Sequence, residues 1–114
     1  MAKKRKPTHP GEILEEDYIK PFKLHLGRLA DRLGLSRKTL HKIRAGTASI
    51  TVSIAMALAE AFDTTPQFWL NLQQKYDLWT AEHQHKRVEP IIRNGAFIEN
   101  ARNLPIAASH FGRE

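Results

Sequence analysis

From Leu26 to Gly46 the chain reads LGRLADRLGLSRKTLHKIRAG. Leu26, Leu29, Ala30 and Leu33 recur at the i, i+3, i+4, i+7 spacing of one helical face. Gly34 follows at once, where a left-handed helix end favours a residue without a β-carbon. Leu35 turns back toward the core, and Ser36 is a good N-cap for a second helix that runs to Ala45 and stops at Gly46. Two short helices joined through one glycine read as a helix-turn-helix. Ala30 must be small for the pair to cross closely, because a larger side chain there would hold the helices apart.

The second helix of the pair has two faces of different chemistry. Leu40 and Ile43 lie about 60° apart in helical projection and form the inward stripe. Arg37, Lys38, His41 and Lys42 occupy the opposite arc, with Arg44 at its edge. No acid lies on this helix, so its cations have no local partner. A solvated basic face on an ordinary helical hairpin would carry the same charge. The glycine turn, the cap and the bare cationic arc together point to reading of double-stranded DNA. Thr47 and Ser49, just beyond, either donate hydrogen bonds to DNA phosphates or merely make the turn.

The totals narrow the class. A chain of 114 residues fits one domain with a modest core, and 41% hydrophobic content is that of a soluble globular protein. No run nears the ~20 apolar residues of a membrane span. Zero cysteines leave no disulfide framework and no thiolate chemistry. The start, MAKKRKPTHPGE, is basic but lacks the apolar segment of a secretory signal, so a cytoplasmic location is expected. A net charge of +6 favours an anionic partner, and its distribution says more. From Lys20 to Arg44 there are eight Lys or Arg against one acid, Asp31, whereas Thr47 to Glu82 holds four acids and one base, Lys75. The positive field sits on the helix-turn-helix.

Residues 1–7, MAKKRKP, read as a disordered basic arm, either tracking phosphates or a minor groove or simply solubilising the chain. A helix is expected from about Pro10, capped by Thr8 or His9, to before Pro21, with Ile13, Leu14 and Tyr18 inward. Its acids Glu12, Glu15, Glu16 and Asp17 suit the positive end of a helix, or else form a patch for a basic partner protein. Thr51 caps a helix with Ala55, Leu58, Ala59 and Phe62 inward, which Asp63-Thr64 breaks. Thr65 and Pro66 start the last strong helix.

That last helix carries a stripe of Trp69, Leu72, Tyr76 and Trp79. Core closure accounts for Trp69 and Leu72. Tyr76 and Trp79 lie beyond the span the other helices can cover, and such aromatic anchors suit a homodimer interface. The interface expected is thus drawn from Trp69, Leu72, Tyr76 and Trp79. Asn71 and Gln73 either face solvent or hydrogen-bond across it. The segment TAEHQHKRVE can prolong the helix toward Pro90. Residues 83–114 form an extension that packs as a short helix or hairpin or stays mobile. His83 and His85, two residues apart on a helix, point about 200° away from each other and share no metal. No cofactor, metal site or catalytic constellation is legible, and an enzyme is not expected.

The residues His9-Pro10-Gly11-Glu12-Ile13-Leu14, the helix-turn-helix with its Ser36-to-Gly46 recognition helix, Ile50-Thr51 and Phe68-Trp69-Leu70-Asn71-Leu72-Gln73 resemble the HigA-type antitoxins. These belong to the XRE (lambda repressor-like, Cro/C1-type) helix-turn-helix superfamily. The resemblance covers about residues 8–82. It implies an all-α, five-helix domain that dimerises and places one recognition helix per subunit in successive major grooves. It further implies a partner, a HigB toxin that is a RelE-like mRNA endonuclease, and repression of the protein's own operon. On this resemblance Ser36 and Thr39 match phosphate-contacting positions, and Arg37, Lys38 and Lys42 match base-facing ones. Two positions depart from the pattern. Leu26 stands where a DNA-contacting Gln is frequent, and Arg44 where an acid is usual. A stand-alone repressor of the same fold and a purely protein-binding adaptor are the rival readings.

Overall fold

The computed structural model describes residues 5–97. The first four residues of the basic arm lie outside them, as do the apolar pieces Ile98, Leu104 and Ile106 of the extension. The described residues fall into two units, divided after Gln84.

The first unit is all-helical. Helix α1 covers residues 10–22 in three consecutive windings: α over Pro10–Ile13, π over Leu14–Ile19 and α over Lys20–Phe22. Four α-helices follow: α2 at Leu26–Leu33, α3 at Arg37–Ala45, α4 at Val52–Phe62 and α5 at Pro66–Glu82. The expected stop before Pro21 is corrected, because the helix continues through that proline. In regular α winding the ring would press on the carbonyl of residue 17, and its missing N–H would leave that carbonyl unpaired. Here the Lys20 N–H donates to the Glu15 carbonyl, five residues back, and the wider winding accommodates the ring. It also sets Leu14 and Ile19, five apart, both into the core.

Polar side chains close the helix starts. His9 Nδ1 accepts from the Gly11 N–H at 2.9 Å, and Ser36 Oγ from the Thr39 N–H at 3.0 Å. Thr51 and Thr65 cap α4 and α5 in the same way. His25 does so for α2, its Nδ1 3.2 Å from the Arg28 nitrogen. Histidine is not among the residues favoured at this position, which are Ser, Thr, Asp and Asn. Gly34 (φ 73°) and Gly46 (φ 81°) take the left-handed conformation their positions require. At Gly34 the bonds from Leu35 to the Ala30 carbonyl and from Gly34 to the Asp31 carbonyl complete the turn into the recognition helix.

The core gathers Leu14, Leu29, Ala30, Leu33, Leu40, Ile43, Ile50, Leu58 and Trp69. Trp69 sits at its centre, 0% exposed, with its indole N–H donated to Thr64 Oγ1 at 2.8 Å. Tyr18, Phe62 and Phe68 surround its ring at centroid distances of 5.7, 6.4 and 5.1 Å. Trp69 therefore leaves the expected interface, since it has no surface to offer a partner. Leu72 is half-buried against the same core. Tyr76 is not bare either: the His9 ring meets it edge-on at 4.8 Å.

Gln73 corrects both expectations made for it. It is buried, and its Oε1 accepts the Ile50 N–H at 2.7 Å while its Nε2 donates to Asp77 Oδ1 at 2.9 Å. The side chain ties the segment after the recognition helix to α5 within one subunit. Asn71 is exposed and accepts from Gln67. Gln73→Leu keeps the volume but leaves the Ile50 N–H unpaired. Chemical denaturation should register a loss of about 1–3 kcal/mol.

Helix α5 ends at Glu82 rather than running on toward Pro90. Its last carbonyls are closed by tight bonds from His83 to Thr80 and from Gln84 to Ala81. In the second unit Ile92–Arg93 (β1) and Ala96–Phe97 (β2) pair antiparallel, Ile92 opposite Phe97 and Arg93 opposite Ala96. Asn94 (φ 53°) and Gly95 (φ 78°) both sit in the left-handed region, which matches the twist of a two-residue hairpin. Of the options open for this segment, residues 92–97 take the hairpin.

Candidate nucleic-acid interface

The recognition face rests on α3, held at both ends. Ser36 Oγ caps its start and donates in turn to Thr39 Oγ1 at 3.0 Å. At the far end Thr47 N–H and Ala48 N–H both bond the Lys42 carbonyl, and the Thr47 hydroxyl donates to it as well at 3.2 Å. The Thr47 hydroxyl proton thus serves the helix end, while its oxygen stays exposed. Leu40 and Ile43 anchor the helix at 2% and 1% exposure.

Lys38, His41 and Lys42 stand exposed on the outer arc together with Arg37 and Ser36, and Thr39 is half-buried beside them. Arg37 lies back across α2. A β-carbon on Gly27 would come 2.6 Å from Arg37 Nη2, so the glycine makes room for the guanidinium. An open groove between the start of α2 and α3 is lined by His25, Gly27, Arg37, His41 and Arg44.

Arg44 departs from the others. Its Nε donates to Glu15 Oε1 at 2.7 Å, and both side chains are three-quarters or more covered. The acid absent from α3 comes from α1, 29 residues earlier. This bond is the main reason the Glu15 carboxyl is held below its ordinary value. Arg44 therefore braces α1 against α3, and the arc available to an anion reduces to Arg37, Lys38, His41 and Lys42. On α1, Glu16 is paired with Lys20 at 2.9 Å. Glu12 and Asp17 remain exposed.

Two residues that position this face carry no local signal of doing so. A β-carbon on Gly11 would lie 1.8 Å from the Ile43 carbonyl oxygen, so α1 meets the end of the recognition helix backbone to backbone. His9, 8% exposed, lies beside Gly46, where an added β-carbon would meet its ring at 3.7 Å. Burial is the chief cause that lowers its pKa below the ordinary histidine value, partly opposed by Asp77, a hydrogen bond with the Ala48 backbone and Glu12. Neutral imidazole is also the form that can accept the Gly11 bond. The folded chain thus binds fewer protons at this site than the unfolded one. The stability it contributes is complete above pH ~6.5 and is lost as pH falls through the lower folded value. The urea midpoint should drop between pH 7.5 and 5.5. His9→Asn, which caps without titrating, should flatten that slope.

On α5, Lys6 Nζ lies 5.6 Å from the ring centroids of both Tyr76 and Trp79. Trp79 also stacks at a tilt on His83, 4.3 Å between centroids. Leu78, one residue before Trp79, is 57% exposed. Among the described residues no group of three metal-ligating side chains converges, and no helix is long and apolar enough to cross a membrane.

A helix-turn-helix family model matches residues 16–69, which span α2, α3 and α4. An uncharacterized HTH-type transcriptional regulator of Haemophilus influenzae is 46% identical over 90 residues, 79% of this chain and 83% of its own length. Antitoxin HigA-1 of Vibrio cholerae is 31% identical over 90 residues, 79% of this chain and 85% of its own. Among solved structures, the Pseudomonas aeruginosa antitoxin HigA, determined with the higBA promoter, superposes with a TM-score of 0.67 at 35% identity. That match takes in 75% of this chain and 99% of the other.

Proposed function

We propose, for a chain that belongs to the HigA-type antitoxins of the XRE helix-turn-helix superfamily, that α3 reads an operator in its own promoter and that the protein neutralises a co-encoded toxin. The family is one of DNA-binding regulators, not of enzymes. The observation that carries the DNA reading is the exposed set Arg37, Lys38, His41 and Lys42 on a helix capped at both ends. Such a face binds phosphates through its charge and reads guanine O6 and N7 through Arg or Lys. The P. aeruginosa relative, solved with promoter DNA, supports the DNA reading.

A two-fold homodimer would place its half-sites about one helical turn apart, or a multiple of it. Leu72, Tyr76 and Trp79, each half-buried and within about 60° of one another around the helix, make up the α5 face proposed for that dimer. Loss of dimer mass in the Tyr76→Ala/Trp79→Ala double variant is the expected result, and an unchanged mass removes the interface from α5.

The operator reading is tested by fluorescence anisotropy with promoter DNA and a scrambled duplex. Arg37→Ala and Lys42→Ala should each weaken promoter binding by about 1–3 kcal/mol if the contact is to a base. Equal loss on both duplexes assigns the residue to phosphate, and loss on neither ends the assignment of α3. Affinity should also fall steeply with salt. For the toxin, pull-down from the host at native expression should yield a stoichiometric small basic protein encoded beside this one. The regulator name of the H. influenzae relative favours the second reading, a stand-alone repressor. DNA binding without any such protein would establish it.

A further inference from the structure

The end of α1, α2 and α4 enclose an open groove of about 620 Å³ that the operator reading does not use. Leu29, Ala57 and Phe62 supply apolar walls, and Lys23, Arg28 and Arg32 stand on its rim beside one acid, Glu60. All three cations are exposed, and none has an ion-pair partner among the described residues. Lys20 and Arg44, by contrast, are both paired.

This charge does not belong to the recognition face. Gly27 marks the side of α2 that meets Arg37 of α3. Arg28 and Arg32 lie about 100° and 140° further round the helix, turned toward α4. Being four residues apart, the two guanidinium groups can converge on one anion, and each presents a planar fork to a carboxylate or phosphate.

Lys23 adds an independent observation. It closes α1 in the left-handed conformation, φ 51° and ψ 49°. Glycine holds the corresponding place at the ends of α2 and α3. A glycine at 23 would make the same backbone bonds, from residue 23 to the Lys20 carbonyl and from Leu24 to the Ile19 carbonyl, without the β-carbon penalty. Asp63 takes the same conformation at the end of α4, so the backbone admits a side chain there, and what lysine supplies at 23 is a third cation on the rim.

We propose that the groove binds a soluble amphiphilic organic anion, a carboxylate or phosphate monoester on an alkyl or aryl body. The head group pairs with Arg28, Arg32 and Lys23, and the body covers Leu29, Ala57 and Phe62. The volume lies within the ~300–1,000 Å³ usual for small-molecule sites. An inorganic anion leaves the apolar walls wet, and a neutral hydrocarbon leaves the cations without a partner. The site stands independently of the operator reading.

The test is a ¹H–¹⁵N correlation titration of the full chain with hexyl phosphate below its micelle concentration, with inorganic phosphate and hexanol in parallel. Saturable shifts should be confined to residues 23–32 and 57–62, with hexyl phosphate binding at least about ten-fold tighter than either half-ligand. Arg28→Gln/Arg32→Gln should lose about ten-fold in affinity or more, and Lys75→Gln should lose none. Lys23→Gly should weaken binding while raising the melting temperature, an opposition that a merely structural lysine would not produce. Shifts centred on α3 or scattered over the surface would overturn the site. So would equal affinity for hexanol or inorganic phosphate, tighter saturation of the same shifts by random duplex DNA, or unaltered binding by both the arginine and the Lys23→Gly variants.

Discussion

Gly11→Ala is expected to destabilise the domain by about 3 kcal/mol or more and to abolish operator binding by whatever protein stays folded. Helix propensity alone gives the opposite sign, since alanine is favoured over glycine inside a helix by about 1 kcal/mol. The deciding contact is tertiary. A β-carbon at position 11 would stand 1.8 Å from the Ile43 carbonyl oxygen and 2.7 Å from its carbon, atoms of a backbone that cannot rotate away. Either α1 or the end of α3 must move, and Leu40 and Ile43 hold α3 in the core. Urea denaturation reads the stability, and fluorescence anisotropy on promoter DNA reads the displacement of the recognition helix. A stabilised variant with unchanged affinity would show that α1 does not seat against α3 in this way.

Trp69→Ala should cost about 3–5 kcal/mol, the range for removing a large aromatic from a closed core. The indole is wholly buried and its N–H is satisfied by Thr64, so the substitution opens a cavity and strands a hydroxyl partner. The result separates core from interface by its concentration dependence. A core residue lowers the unfolding midpoint equally at any protein concentration, whereas an interface residue acts through the monomer–dimer balance and so depends on it. Trp69→Phe retains part of the packing and should fall between wild type and Ala. Its remaining Trp79 reports on α5 by fluorescence.

Trp69 and Gln73 show where reading along the chain stops. Helical spacing places Trp69, Leu72, Tyr76 and Trp79 on one stripe, but it does not say how far along that stripe the neighbouring helices reach. In the fold, Tyr18, Phe62 and Phe68 close over Trp69, and His9 reaches Tyr76. Gln73 looks like a surface residue by composition. Its partner, the Ile50 N–H, is 23 residues away and is left unbonded by any helix or strand.

What the sequence determined by itself was set by interactions within about one helical turn. The apolar periodicity of α2 and α3, the caps at Ser36, Thr51 and Thr65, the left-handed ends at Gly34 and Gly46 and the cationic arc of α3 are all of that kind. Capping bonds span two or three residues, so the residues that make them are adjacent on the page. The hairpin at Asn94-Gly95 was one of the options the sequence left open, and the structure chose it. Only the tertiary structure decided which of the cations face outward, because the Glu15 carboxylate that withdraws Arg44 arrives on another helix. It alone also decided that Gly11 must lack a side chain, that Gln73 lies inside and that Pro21 can stay in a helix through a π winding. Each of these depends on two segments far apart in the chain approaching within a few ångströms, or on a backbone winding that no residue preference announces.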